Sequence, residues 1–270
     1  MTIFNIDESI NIKSWCVKIE TAVSDYPKLE QFVKNGKLDF GDHESLTMYN
    51  KAVAYSLAQL EIDVPNTHLI PAVCLRYAYM RLISEHYLKP NDTIIEIGTG
   101  ASGIISLFGA KLFDLKVTAT ELDTISYETA NNNFVKNNQS NNITLIKSDG
   151  GILFDVLQAG SNFDALLTYP PTYSDSNQDT GKLNKKRGFK GIMSEMIGGG
   201  DDGFDFIKKL LHEACSNQFK IDIITVMCLF KSHVFPSIEI LASFQRKTKI
   251  IELIAGTRKR YVVIGSNQES

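Results

Sequence analysis

From residue 93 onward, short β-branched segments alternate with segments of helical apolar spacing, and this alternation limits the fold more than any other feature of the chain. Predicted strands occupy residues 93–97, 116–120, 143–147, 164–168, 221–229, 249–255 and 260–265. Predicted helices occupy residues 102–113, 124–136, 150–159, 202–216 and 233–244. Such alternation is typical of an α/β protein with a doubly wound, mostly parallel sheet.

Two regions are predicted along the chain. Residues 1–89 form a mainly helical extension, because helical apolar spacing runs through residues 49–60 and 75–87. Residues 90–270 form the α/β domain. Its last two strands are separated only by Gly256-Thr257-Arg258-Lys259, which predicts a hairpin and therefore an antiparallel strand at the C-terminal end of a seven-stranded sheet.

Composition narrows the classes of function. With 270 residues and a formal net charge of −3, the chain is not a globally basic nucleic-acid binder, although a local basic surface is compatible with that charge. No stretch approaches the roughly 18 apolar residues that a membrane-spanning helix needs. The four cysteines, Cys16, Cys74, Cys215 and Cys228, are far apart and form no metal-type pair, so we expect buried free thiols, no metal and a cytoplasmic protein.

The segment from Thr93 to Gly103 has the order of a strand, a glycine turn and the start of a helix. Gly98, Gly100 and Gly103 form a G-x-G-x-x-G pattern, which a nicotinamide cofactor also fits. Glu96, however, ends the strand, where a carboxylate repels a pyrophosphate but suits a cation such as the sulfonium of S-adenosylmethionine. We expect Glu96 to bridge to the amino end of that cofactor or to orient the glycine turn.

The acids that follow the next two strands are candidates for contacts with the ribose and the adenine of the cofactor. Glu121 lies about 20 residues after the glycines, where a carboxylate accepts hydrogen bonds from both ribose hydroxyls. The alternative for Glu121 is an acid near a helix N-terminus, and Asp123 is predicted as the cap of that helix. Asp149 either faces the adenine or belongs to a turn.

The fourth predicted strand ends in Tyr169-Pro170-Pro171-Thr172-Tyr173. Two prolines make this turn rigid, remove amide donors and leave carbonyl acceptors, which suits a site that binds an amino group. Tyr169 and Tyr173 offer faces on which a base taken out of its helix stacks. The alternative is a Pro-Pro loop with packed tyrosines.

Two groups of cations are candidates for contacts with phosphates. The long glycine-containing segment after the tyrosines carries the first group, Lys182, Lys185, Lys186, Arg187 and Lys190. The predicted hairpin carries the second, Arg258 and Arg260. A solvated, mobile loop is the alternative for the first group.

Several segments together resemble one family. They are residues 26–29 with 38–40, residues 69–76, the run Glu96-Ile97-Gly98-Thr99-Gly100-Ala101-Ser102, residues 119–123, residues 191–200 with 206–209, and residues 256–261. The run from Glu96 resembles the family pattern DIGTGAS, and residues 119–123 resemble ATEVD. With these motifs, the chain resembles class I S-adenosylmethionine-dependent methyltransferases. More narrowly, it is similar to the ribosomal RNA adenine-N(6) methyltransferase F family and its eukaryotic relative, methyltransferase-like protein 16.

This resemblance implies a Rossmann-like methyltransferase domain and an N-terminal extension that grips structured RNA, with no metal. It implies that Arg76 holds the methionine carboxylate and that Glu121 holds the ribose. The other residues that it places beside the cofactor are Glu96, Gly98, Thr99, Gly100, Ser102 and Tyr169. The expected reaction is adenine-N(6) methylation of a flipped-out base in a ribosomal or small RNA, with a role in ribosomal RNA processing.

The catalytic motif departs from the family pattern. The family has NPPF, in which the Asn side chain and a proline carbonyl accept hydrogen bonds from the target amino group and the Phe stacks on the base. Here the motif is Tyr169-Pro170-Pro171-Thr172, followed by Tyr173. Three alternatives stay open: an inactive RNA-binding protein, a methyltransferase with another acceptor such as a protein amide, and a nicotinamide-dependent dehydrogenase. The dehydrogenase alternative is weakened because this chain has no second mononucleotide-binding half.

Overall fold

The computed structural model describes residues 5–177 and 191–267. The strands in this part of the chain are β1 (Glu8–Asn11), β2 (Val33–Lys34), β3 (Lys37–Leu38), β4 (Thr93–Ile97), β5 (Lys116–Glu121), β6 (Ile143–Lys147), β7 (Asn162–Thr168), β8 (Lys220–Cys228), β9 (Lys247–Ala255) and β10 (Arg258–Ser266). The helices are α1 (Ile19–Asp25), α2 (His43–Ala58), α3 (Val73–Tyr87), α4 (Ile104–Leu112), α5 (Thr124–Lys136), α6 (Met193–Met196), α7 (Asp205–Ala214) and α8 (Val234–Ser243).

The main sheet has eight strands in the order β1-β9-β10-β8-β7-β4-β5-β6, and β2 pairs with β3 in a separate hairpin. Strands β8, β7, β4, β5 and β6 are parallel, while β10 is antiparallel to both β8 and β9. The predicted α/β class, parallel sheet and antiparallel C-terminal strand are therefore confirmed. The carboxyl ends of β4, β5 and β7 lie at one edge of the sheet, where open α/β sheets bind ligands.

Two sequence predictions about the elements were wrong. The sheet has an eighth strand, because β1 of the extension pairs in parallel with β9 at the sheet edge. Residues 150–159 form turns instead of a helix. The backbone amides of Leu153 and Phe154 donate to the carboxylate of Glu213, at 2.8 and 2.9 Å, so these donors are already satisfied by a side chain of α7.

The extension packs on the sheet instead of standing apart from it. Val53 of α2, Tyr79 of α3 and Ile94 of β4 are fully buried in one apolar cluster. Helices α7 and α8 pack in a second cluster, with Leu210 and Leu241 buried against Val263. The division of the chain at residue 89 stays a prediction. In the part of the chain that the structure describes, no helix is both long and apolar enough to span a membrane.

Candidate active site

Three glycines shape the turn between β4 and α4, and they serve two different purposes. Gly98 and Gly100 have φ values of +71° and +67°, and a Cβ atom on either would meet nothing within 4 Å. Their backbone therefore faces open space. Gly103 has a φ of +60°, and a Cβ atom there would lie 2.3 Å from Cε1 of Phe134 in α5. The first two glycines open the turn to a ligand, whereas the third lets α4 pack against α5.

Substitution of Gly103 by alanine should destabilise the protein strongly. The left-handed backbone costs an alanine about 1–2 kcal/mol. Contact with the Phe134 ring adds an overpacking cost of about 1–3 kcal/mol. We therefore expect a lower free energy of unfolding in urea for Gly103→Ala.

The matched control is Gly36→Ala, because Gly36 also has a positive φ, of +70°, but a Cβ atom there would meet nothing within 4 Å. This variant should lose only the backbone contribution. Equal losses of unfolding free energy in the two variants would contradict the packing role of Gly103.

Glu96 is buried beneath the turn and holds it in place. Its Oε2 accepts hydrogen bonds from the Thr99 hydroxyl at 2.8 Å and from the Ser106 amide at 3.0 Å, and the Ser106 hydroxyl also donates to it. Of the two roles expected for Glu96, the structure supports the one that orients the glycine turn. Burial raises the pKa of Glu96, although the hydrogen bonds from Ser106 and Thr99 and the charge of Arg76 oppose this effect.

This raised pKa gives a test by pH. A glutamate whose pKa is raised on folding contributes stability below its ordinary pKa of 4.5, and loses that contribution as the pH rises through the folded value. Glu96→Gln cannot ionise, so the unfolding free energy of the wild type relative to this variant should fall as the pH rises above 4.5. Urea denaturation at several pH values measures this difference, and a constant difference would contradict the assignment.

Glu121 ends β5 and binds the backbone of two turns. Its Oε2 accepts from the Gly100 amide at 2.8 Å, and its Oε1 accepts from the amides of Leu122 and Asp123, both at 2.8 Å. Burial raises the pKa of Glu121, opposed by these hydrogen bonds. Asp123 caps α5 by accepting from the Ser126 amide at 2.8 Å, as the sequence predicted.

A cavity of about 500 Å³ lies over the glycine turn and is called the narrow cavity. The predicted residues that line it are Arg76, Glu96, Gly98, Thr99, Gly100, Ser102, Glu121, Tyr169 and Pro171. Asp149 is exposed and does not line it, whereas its neighbours Ser148 and Gly150 do. The turn after β6 thus contributes to the narrow cavity, and the role of Asp149 beside the adenine stays a prediction.

A second cavity of about 940 Å³, called the wide cavity, is also lined by Tyr169. The predicted residues that line it are Arg76, Tyr169, Pro170, Tyr173, Arg258 and Arg260. The two cavities share Leu69, Pro71, Arg76, Tyr169 and Glu195. A ligand in the narrow cavity and one in the wide cavity would therefore meet beside these residues.

Arg76 and Tyr169 form the junction of the two cavities. The Arg76 guanidinium lies over the Tyr169 ring, 4.2 Å from its centroid, as a cation–π contact. Within residues 5–177 and 191–267, no carboxylate lies within salt-bridge distance of Arg76, and burial lowers its pKa. Arg76 is thus a partly desolvated cation at a cavity wall, which suits a ligand carboxylate.

Glu195 at this junction was missed by sequence reasoning. Its Oε2 accepts from the backbone amides of Leu69 at 2.9 Å and Ile192 at 3.2 Å, so it joins the segment before α3 to the segment after the tyrosines. Burial raises the pKa of Glu195. Its signal in the sequence was its place in residues 191–200, one of the segments that resemble the family.

The loop Tyr169–Tyr173 is held by the glycine-rich segment that follows α6. The amides of Thr172 and Tyr173 donate to the Met196 carbonyl at 3.0 and 2.9 Å, and the Gly198 amide donates to the Tyr173 carbonyl at 2.9 Å. A Cβ atom on Gly203 would lie 2.1 Å from the Thr172 carbonyl oxygen. Only glycine allows this close approach of two backbones, so the segment fixes the shape of the loop.

A buried hydroxyl network supports the end of β7 below this loop. The Thr168 amide donates to the Tyr79 hydroxyl at 3.3 Å, the Tyr79 and Thr225 hydroxyls are 2.5 Å apart, and Thr225 donates to the Leu166 carbonyl at 2.8 Å. Tyr79 is fully buried in α3, so the network ties that helix to β7 and β8. Sequence reasoning did not identify it.

The residues of the loop itself have distinct environments. Pro170 is buried, and its carbonyl accepts no hydrogen bond from the described residues. Thr172 is 2% exposed and has no aromatic ring, so it cannot stack on a base. Tyr173 is half-buried and packs edge-on against Phe230, with ring centroids 6.0 Å apart. Tyr169 and Tyr173 are therefore the two residues of the loop that offer an aromatic ring to the wide cavity.

Besides Arg76, two cations at the wide cavity come from the C-terminal hairpin. Strands β9 and β10 pair from Ala255 opposite Arg258, so the connecting turn is Gly256-Thr257, two residues shorter than the predicted link. Arg258 is exposed, while Arg260 is half-buried and its Nε atom has no partner among the described residues. The predicted phosphate contacts Lys182, Lys185, Lys186, Arg187 and Lys190 lie outside the described residues.

A parallel sheet with an antiparallel last pair, a glycine turn over a narrow cavity and acids at the ends of β4 and β5 define a methyltransferase of the Rossmann-like class. A family model described as RNA methyltransferase matches residues 17–267. The chain belongs to this RNA methyltransferase family. It is an S-adenosylmethionine-dependent enzyme, and the dehydrogenase alternative was wrong.

Relatives and solved structures agree with this family. A putative methyltransferase of Methanocaldococcus jannaschii is 31% identical over 92% of this chain and 98% of the relative. The U6 small nuclear RNA (adenine-(43)-N(6))-methyltransferase of Schizosaccharomyces pombe is 30% identical over 90% of this chain, which spans 66% of that relative's length. The solved human METTL16 catalytic domain in complex with MAT2A 3'UTR hairpin 6 is 26% identical, with a TM-score of 0.76 over 93% of this chain and 92% of that one.

The narrow cavity fits the cofactor of this class. Its volume, about 500 Å³, lies within the range of small-molecule sites. The open backbone at Gly98 and Gly100 lets a ligand approach closely. The Arg76 guanidinium would hold the methionine carboxylate, and the Glu121 carboxylate would hold the ribose hydroxyls.

Proposed function

We propose that this protein methylates the N6 amino group of an adenine in a structured RNA. The observation that carries the proposal is the junction of the two cavities at Arg76 and Tyr169, next to Pro170 in the wall of the wide cavity. A cofactor in the narrow cavity and a base in the wide cavity would meet there. The relatives named for adenine-N(6) methylation of RNA support the choice of acceptor.

The protein's contribution to the reaction is positioning. The bound cofactor supplies a methyl group that is already activated by a sulfonium. The Pro170 carbonyl and the Tyr169 phenolic oxygen accept hydrogen bonds from the amino group and direct its lone pair toward that methyl group. The rigid prolines and the backbone contacts from Met196 and Gly198 hold these acceptors in place.

The wide cavity suits a flipped-out base of an RNA. Tyr169 and Tyr173 offer aromatic faces, and Arg258 and Arg260 provide cations for the flanking phosphates. Lys182, Lys185, Lys186, Arg187 and Lys190 are proposed to extend this basic surface. The solved complex of human METTL16 with an RNA hairpin supports a structured substrate. A ribosomal or small RNA, a role in ribosomal RNA processing, a metal-free reaction and a cytoplasmic location are part of the same proposal.

The experiment that tests the function is methylation of native RNA. Purified protein is incubated with labelled S-adenosylmethionine and total RNA from the native organism, and the modified nucleoside is identified by mass spectrometry. We expect label in N6-methyladenosine. Label in another nucleoside or in protein would contradict the acceptor.

A second candidate function rests on the motif Tyr169-Pro170-Pro171-Thr172. Arg76 packs on the Tyr169 ring where the family has a smaller asparagine, and Thr172 is buried. The candidate is an RNA-binding protein that holds the cofactor without transferring its methyl group. Cofactor binding with no label in any RNA would favour this function over the first.

A further inference from the structure

The wide cavity has room for more than one base. Its volume of about 940 Å³ is nearly twice the volume of the narrow cavity, which is about 500 Å³. The narrow cavity fits a whole S-adenosylmethionine, which combines an adenine, a ribose and a methionine. A single flipped-out base is smaller than that cofactor. A further group of the RNA therefore fits into the wide cavity beside the target adenine.

Phe40 offers an exposed aromatic ring to this cavity. It lines the wide cavity but not the narrow one, so it is not part of the junction between them. Its side chain is 50% exposed, the largest fraction among the aromatic side chains in residues 5–177 and 191–267. The ring packs edge-on against Tyr49 of α2, with centroids 5.3 Å apart. Half of the Phe40 side chain thus remains open to a ligand.

The backbone on both sides of Phe40 is held by hydrogen bonds. The Asp39 carboxylate accepts from the Gly41 amide at 2.8 Å, and the Asp39 carbonyl accepts from the Asp42 amide at 3.2 Å. Asp42 then caps α2 by accepting from the Ser45 amide at 2.8 Å. Phe40 therefore lies in a tight turn that leads directly into α2, and its exposed ring has a defined place.

Helix α2 is in turn fixed to α3, the helix that carries Arg76. The buried Asn50 of α2 accepts through Oδ1 from the Val73 amide at 3.0 Å, and its Nδ2 donates to the Leu46 carbonyl at 2.9 Å. These buried hydrogen bonds set the position of the Phe40 turn relative to the junction of the cavities. The wide cavity thus presents its aromatic rings on a preformed surface.

The charges in the wide cavity favour a nucleotide as the group that contacts Phe40. The charged residues that line it, in the described part of the chain, are Arg76, Arg258, Arg260 and Glu195. Glu195 already accepts from two backbone amides, at 2.9 and 3.2 Å. The excess of cations favours phosphates, and the exposed ring favours a flat base. A nucleotide carries both groups, whereas an apolar peptide side chain brings no anion.

We propose that Phe40 forms a second base-binding subsite, on which an unpaired base next to the target adenine stacks. The subsite rests on the proposed function, because it needs an RNA in the wide cavity. Stacking on an aromatic ring tolerates every base, since each has a π face. The subsite therefore adds affinity without reading the sequence. A neighbouring base held on Phe40 is also no longer available for the target adenine to restack on.

Binding of two RNA hairpins tests the subsite. One hairpin has an all-adenosine loop, and the other has abasic nucleotides around one central adenosine of the same loop, so both carry the same phosphates. Fluorescence anisotropy at one salt concentration gives the Kd of each. Phe40→Ala should weaken binding of the first hairpin by at least about fivefold and leave binding of the second unaltered. An equal loss with both hairpins, or no loss with either, would overturn the subsite.

Phe244→Ala is the matched control. Phe244 is 40% exposed and packs edge-on against His212, but it lies outside the wide cavity. This variant should bind both hairpins as the wild type does, and a loss as large as that of Phe40→Ala would overturn the subsite. Phe40→Tyr keeps an aromatic ring and should keep the affinity. Phe40→Leu keeps only apolar volume and should lose affinity for the all-adenosine loop.

Two further results separate this subsite from the proposed function. Calorimetry should give the same cofactor affinity for Phe40→Ala as for the wild type, because Phe40 does not line the narrow cavity. A weaker cofactor affinity would show a general structural role and overturn the subsite. If the wild type binds neither hairpin, the proposed function fails and the subsite fails with it. If the wild type binds and methylates RNA while Phe40→Ala is indistinguishable from it, only the subsite fails.

Discussion

Tyr169→Ala should lower kcat for methyl transfer to RNA by more than tenfold, a loss of at least about 1.4 kcal/mol of transition-state stabilisation. The substitution removes the phenolic oxygen proposed to accept a hydrogen bond from the target amino group. It also removes the ring that the Arg76 guanidinium packs on, at 4.2 Å from the centroid. Single-turnover kinetics with saturating RNA measure the chemical step without a contribution from product release.

Tyr169→Phe separates the two roles of this residue. Phenylalanine keeps the ring for Arg76 but has no oxygen to accept a hydrogen bond. We expect it to bind the cofactor as the wild type does and to lose about tenfold in the single-turnover rate, or about 1.4 kcal/mol. A wild-type rate for Tyr169→Phe would show that the ring alone acts at the junction, and a wild-type rate for Tyr169→Ala would remove Tyr169 from the site.

Features that depend on neighbouring residues in the sequence could be predicted. The glycine turn, Glu96 and Glu121 lie at strand ends, and parallel strands bring such ends to the same edge of the sheet. Their prediction needed only the alternation of strands and helices. The prediction of a helix at 150–159 failed, although Ile152, Leu153 and Val156 have helical spacing, because Asp155 has a φ of +65°, which a right-handed helix does not allow.

Features that depend on segments far apart in the sequence could not be predicted from spacing. The hydrogen bond between Tyr79 and Thr225 forms only when the extension packs on the sheet. Strand β1 has four residues and pairs at the edge of the sheet, so it carries little apolar periodicity. Arg76 was identified through the family resemblance, because its position in α3 places it beside the cavities only in the folded chain.

Glu121→Ala should weaken S-adenosylmethionine binding by about 2 kcal/mol, or roughly thirtyfold in Kd. The buried carboxylate lines the narrow cavity, and its proposed partners are the two ribose hydroxyls. It also accepts from the Gly100 amide at 2.8 Å, so the substitution loosens the turn that approaches the cofactor. Isothermal calorimetry measures the affinity, and thermal denaturation without cofactor checks that the variant is folded.

Asp149→Ala is the matched control for Glu121→Ala. Both residues are acids at the carboxyl end of neighbouring strands, but Asp149 is exposed and does not line the narrow cavity. Its Kd for the cofactor should equal that of the wild type. A large loss for Asp149→Ala would support the role beside the adenine that the sequence predicted. Wild-type affinity in Glu121→Ala would exclude the ribose contact, because removal of a buried carboxylate that binds two hydroxyls cannot leave the binding free energy unchanged.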